Sequence, residues 1–129
     1  MKTETAKAFK IKLSVAYVEF GGNTGSKKQY FYSFDPQCVY IKEKGVTMNF
    51  ILSESTDSRF EIVEFLSSDG SNEFEQPQYT GNRRVLSVKN HNDSKQAIKV
   101  SIIVKDTNVG TGGFFNCDPQ VLNSPGTWD

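Results

Sequence analysis

The chain has 129 residues, inside the range of one domain able to close its own hydrophobic core, so a single domain over 1–129 is expected. Fifteen basic and fifteen acidic residues cancel to a formal charge of zero, which removes any general attraction to nucleic acid or an anionic membrane and lowers the barrier to self-association. Ten Phe and five Tyr supply large buried areas, as a thin two-layer core requires, and two cysteines are too few for a disulfide framework.

The N-terminal segment carries Lys2, Lys7, Lys10 and Lys12 but has no uninterrupted apolar run, and no stretch of about eighteen apolar residues follows anywhere. The expectation is a cytoplasmic chain with no membrane segment. From Phe9 onward Phe9, Ile11, Leu13, Val15 and Tyr17 alternate with Lys10, Lys12 and Ser14, the period-two pattern of a half-buried strand. A turn cluster at Gly21–Gly25 precedes a second strand over Tyr30–Phe34, which Pro36 ends because proline cannot donate to a ladder. Further strands are predicted at Cys38–Lys42, Val46–Leu52, Phe60–Leu66, Val85–Lys89 and Ile98–Lys105, with room for a helical turn over Ser58–Phe65. In the last of these strands Ile98, Val100, Ile102 and Val104 form the core face, and Lys99, Ser101, Ile103 and Lys105 the other. About seven or more strands with turn clusters between them predict an all-β, two-sheet antiparallel β-sandwich of immunoglobulin-like type.

A glycine-rich loop at Gly110, Gly112 and Gly113 leads to Phe114-Phe115-Asn116-Cys117-Asp118-Pro119, and residues 119–129 form a tail expected to dock as a strand. The triplet Asp-Pro-Gln occurs twice, at Asp35-Pro36-Gln37 and Asp118-Pro119-Gln120, and a two-sheet fold could use both as strand-entry corners. A lone His91 leaves blue-copper and zinc sites short of ligands, and the glycine run lacks the Lys and Ser or Thr of a phosphate loop. No metal or cofactor is expected. An aromatic ligand site at Tyr30, Phe31, Tyr32 and Phe34 is the weaker reading of a run that ordinarily packs a core.

The Asp-Pro bond is where chemistry is available. An aspartyl carboxyl can reach the carbonyl carbon of its own residue and close a five-membered anhydride, with proline, a tertiary amide, as the departing amine. Correct orientation of such an internal group has an effective molarity on the order of 10⁵ M or more. A partly buried Asp118 would suit this role. Asp35 and Asp106 are candidates to activate a water. Lys99 is the first choice for an amine capturing the acyl group, since burial beside apolar neighbours would free its lone pair, with Lys95 and Lys105 as alternatives. The bland reading is that Asp caps and Pro fixes an ordinary turn.

In length, strand pattern and the placement of Phe114-Phe115-Asn116-Cys117-Asp118-Pro119, the chain resembles the Asp-Pro endopeptidase family of small bacterial β-sandwich proteins. The resemblance implies self-cleavage between Asp118 and Pro119, an accompanying Lys-to-Asp amide, and assembly of subunits, so the expected partner is the chain itself as substrate and as homo-oligomer. The rival expectation is a non-enzymatic self-assembling or binding domain whose Asp-Pro turn stays intact.

Overall fold

A computed structural model describes residues 8–24, 29–68, 73–93, 96–110 and 113–124. Among these described residues ten strands follow in order: β1 (Ala8–Tyr17), β2 (Tyr30–Asp35), β3 (Cys38–Ile41), β4 (Val46–Leu52), β5 (Phe60–Ser67), β6 (Gln78–Thr80), β7 (Val85–Asn90), β8 (Gln96–Asp106), β9 (Phe114–Cys117) and β10 (Gln120–Asn123). One sheet has the order β2-β1-β4-β7-β6; the other has β3-β10-β8-β5, with β9 also paired to β8. The chain is therefore an all-β two-sheet sandwich. Its sheets are mixed and not purely antiparallel as expected, because β1 runs parallel to β4 and β10 parallel to β3. The strand expected over Phe60–Leu66 is β5, which leaves no helical turn over Ser58–Phe65, and no helix among the described residues is long and apolar enough to cross a membrane.

The alternation legible in β1 and β8 sends Ile11, Leu13 and Val15 from one sheet, and Ile98, Val100, Ile102 and Val104 from the other, into a common core. In β5 a bulge between Ile62 and Glu64 resets the alternation, so that Phe60, Ile62 and Phe65 point inward while Leu66 is left exposed. The Arg83 guanidinium donates to the Ile62 and Val63 carbonyls at the bulge, at 2.8 and 2.7 Å. Arg84 donates to four more carbonyls, those of Ser53, Thr56, Asp57 and Phe60, and so ties the loop after β4 to the start of β5.

At that same end of β5, where Phe60 pairs with Asp106, the Asp106 side chain is completely buried yet fully engaged. It accepts from Tyr30 Oη at 2.7 Å and from Arg59 Nε and Nη2 at 2.8 and 2.7 Å. Burial pushes its carboxyl upward, but the Arg59 and Tyr30 hydrogen bonds outweigh that and hold it below the usual value. Tyr30 in turn stacks on Phe115 with ring centroids 4.2 Å apart, which fixes β9 against the first sheet. Gly113 opens β9 where only glycine fits: an added Cβ would lie 2.8 Å from the Asp106 carbonyl oxygen. The hairpin from β8 to β9 is closed there by Asp106 N–H donating to the Gly113 carbonyl at 2.8 Å.

Removing the Asp106 carboxylate strands a buried hydroxyl and a guanidinium. Asp106→Ala is expected to lower the unfolding free energy by about 3 kcal/mol in urea denaturation at neutral pH. A folded-state pKa held low contributes stability above the unfolded carboxylate range and loses it as pH falls through the folded value. The wild-type chain should therefore lose stability more steeply than Asp106→Asn between about pH 4 and pH 2. Parallel pH profiles for the two proteins would contradict this.

Candidate functional site

β9 and β10 lie on the same side of β8, and the pairs Ile102↔Cys117 and Lys99↔Gln120 belong to one antiparallel register. The two residues between them on each strand match in number, so Asp118 falls opposite Ser101 and Pro119 opposite Val100 with no bulge. Segment 114–123 is thus one extended run interrupted only in its hydrogen bonding. The Asp118-Pro119 pair does not form the turn considered from sequence.

The direction of the ladder explains the interruption. Lys99 turns its backbone toward β5, since its carbonyl accepts from Ser68 N–H at 2.9 Å and its N–H donates to Ser68 Oγ at 3.1 Å. Backbone groups alternate sides along a strand, so Val100 presents its carbonyl to the Pro119 nitrogen. Proline has no hydrogen to give it. On the other flank, the Tyr32 phenol reaches across from β2 toward the Asp118 backbone. Burial pushes the Tyr32 phenol above its usual value, and the nearby Asp118 backbone works against that shift.

Asp118 projects from the outer face of the second sheet and is exposed, whereas Cys117 and Pro119 on either side are buried. The partly buried carboxyl expected from sequence is not what the fold provides, because the inward positions of this strand are taken by Phe115, Cys117, Pro119 and Val121. The Asp118 Oδ1 accepts from Ser101 Oγ at 2.7 Å, and Asn116 Nδ2 donates to the same Ser101 oxygen at 3.2 Å. Lys99, two residues from Ser101 on the same face, is the diagonal neighbour of Asp118, a spacing that a lysine side chain spans. It is exposed and not buried, again because it lies on the outer face of β8. Asp118, Pro119, Lys99, Ser101, Gln120 and Leu66 line one groove of about 790 Å³.

The other predicted residues lie elsewhere. Asp35 ends β2, exposed and in register with Lys12, and is not among the residues that line the Asp118 groove. The two Asp-Pro-Gln triplets do lead into parallel neighbours, β3 and β10, but one residue out of step, since Gln120 pairs with Cys38. Asp106 is spent on Tyr30 and Arg59 at the far end of β8, five residues from Ser101. Lys105 lies over the Phe114 ring at 5.5 Å, four residues from Ser101. Lys95 falls outside the described residues. His91 pairs with Glu75 at 3.3 Å, Cys38 and Cys117 are free thiols, and among the described residues no group of His, Cys, Asp and Glu could hold a metal ion. Burial pushes the Cys117 thiol far above its usual value, and the adjacent Asp118 adds to the effect. Of the aromatic run, Tyr30 and Phe34 are core residues and Phe31 faces solvent, so no aromatic ligand site is formed.

Ser101 and Asn116 were given no role from sequence, and Tyr32 only one in an aromatic ligand site. Ser101 shared the outer face with Lys99, but its role depends on β9 and β10 pairing beside it. No family model matches the chain, and no curated protein matches it.

The Tyr32 contact has a direct readout. In Tyr32→Phe the Asp118 backbone loses its phenol neighbour, and the hydrogen exchange of its amide, followed by NMR, should accelerate about tenfold or more relative to the wild type. An unchanged exchange rate would show that the phenol does not hold this peptide.

Proposed function

We propose that this chain is a self-cleaving endopeptidase that cuts its own Asp118-Pro119 bond, with Asp118 as the reacting acid and Lys99 as the final acceptor of an amide crosslink. The observation that carries this reading is the unbroken register of segment 114–123 across a proline, with the Asp118 carboxyl on the open face beside Ser101 and Lys99. Both flanks of the bond are gripped by β8, while the bond itself lies where the ladder has no donor. An Asp118 carboxylate oxygen attacks the carbonyl carbon of its own residue. The C–N bond to Pro119 breaks, the proline nitrogen takes a proton, and the acyl group remains as a cyclic anhydride for water or the Lys99 amine to open. Neither Asp35 nor Asp106 is assigned the water, since neither lies beside the bond.

The new tail has strong reasons to remain. β10 is paired on both sides, to β3 and β8, and Val121 is buried in the core. Asn123 exchanges two hydrogen bonds, at 2.8 and 2.9 Å, with the amide of Asn90 on the opposite sheet. Cleavage leaves a nicked chain and not two separate products. We place this chemistry in a reducing, cytoplasmic setting, consistent with two free thiols.

A non-enzymatic assembly domain is the second reading, favoured by one observation: among the described residues β9 pairs with β8 alone. The carbonyls of the β5 bulge are capped by Arg83, and the Asn23 amide occupies both backbone groups of Tyr32 on β2, so the free flank of β9 is a place for a second copy to add a strand.

Incubated wild-type protein should yield a second N-terminus at Pro119 by sequencing, with both pieces eluting together until denatured. Asp118→Asn should remain intact, and Lys99→Ala should lack any crosslink that survives hydroxylamine. A chain that keeps Met1 as its sole N-terminus, while Asp118→Asn assembles as the wild type does, would replace cleavage with the assembly reading.

A further inference from the structure

The Ser101 hydroxyl has no part in the cleavage chemistry above, yet it is the side chain that touches the reacting carboxyl. Its oxygen is 2.7 Å from Asp118 Oδ1, which puts it about 3.5 Å from the side-chain carbon, close to the 3–3.5 Å separation of reacting atoms in a near-attack arrangement. Asn116 Nδ2, at 3.2 Å, donates to that oxygen and so leaves the hydroxyl hydrogen directed at Asp118. The pairing of β8 with β9 and β10 enforces the approach, since Ser101 and Asp118 are directly opposed in register. Lys99 is displaced by one diagonal step on the same face.

Resting on the cleavage reading, the geometry points to Ser101 as the first acceptor of the Asp118 acyl group, forming a side-chain ester that Lys99 then displaces. In the first step Ser101 Oγ attacks the Asp118 side-chain carbon of the anhydride. The Oγ–carbon bond forms, the ring C–O bond breaks, the ring oxygen leaves as the α-carboxylate of Asp118, and the hydroxyl proton passes to solvent. In the second step the neutral Lys99 amine attacks the ester carbon, Ser101 leaves with a proton from the amine, and an amide remains. No oxidant, reductant or water is consumed in either step. A group held this close competes at an effective molarity far above the concentration of bulk water, so transfer to Ser101 outruns hydrolysis. Ester and amide have the same mass, one water below the hydrolysed fragment, so a mass deficit alone does not distinguish them.

Lys99→Ala separates the two linkages, because it stops the sequence at the ester. After incubation its 1–118 fragment should be one water lighter than the hydrolysed form, and tandem mass spectrometry should join the Ser101 peptide to the Asp118 peptide. Hydroxylamine at neutral pH should abolish that link and leave a hydroxamate on Asp118. The double variant Ser101→Ala, Lys99→Ala should give only the hydrolysed mass, and Ser101→Ala alone should form the amide about tenfold or more slowly than the wild type. A Lys99→Ala chain that cleaves but shows no hydroxylamine-sensitive link, or a double variant that keeps one, overturns the ester and leaves the cleavage reading standing. A wild-type chain that never cleaves overturns both.

Discussion

A strand that keeps its register across a residue unable to donate to the ladder is the constraint around which this molecule is organised. Segment 114–123 runs beside β8 as though continuous, yet at Pro119 it presents a ring nitrogen to the Val100 carbonyl. The peptide there is held in place by its paired neighbours, not by its own pairing with β8. Such a bond is positioned without being protected. Because antiparallel pairing also decides which side chains oppose one another, the same register puts Asp118 against Ser101 and one diagonal step from Lys99.

Much of the remaining structure fixes that register. The start of β9 is set by the Asp106–Gly113 closure, where the hairpin tolerates no side chain, and by Phe115 stacked on Tyr30. Tyr30 is itself anchored by Asp106, which Arg59 neutralises. The end of β10 is set by the reciprocal Asn90–Asn123 amide pair between the sheets. Buried polar groups satisfied in this way specify one arrangement of the surrounding apolar side chains, since a slip of one residue would leave each of them without a partner.

The alternation in β1 and β8 was legible from residue types alone, because one face of each strand is apolar over several repeats. β5 was legible as a strand only in part: the sequence Ser58 to Phe65 also fits a helical turn, and only the bulge at Val63 lets Phe65 face inward. The short strands β6, β9 and β10 have three or four residues each, too few for a period to declare itself. The reacting pair Asp118-Pro119 could be picked out because its chemistry is local. Its surroundings could not, since the exposure of Asp118, the proximity of Ser101 and the separation of Asp35 all follow from pairings between distant segments. The repeated Asp-Pro-Gln triplet shows both sides of this: it marked two strand entries, but only one of them lies within the outer groove.

Chemistry at this one bond leaves the sandwich in place. The most direct test is a crystal structure of protein aged in solution, inspected at the Asp118 carbonyl carbon and the Pro119 nitrogen. The predicted result is a break in density between these two atoms, with 120–123 still paired to β3 and β8. Continuous density through a fully occupied Asp118-Pro119 bond, in protein aged well beyond its preparation, would contradict it.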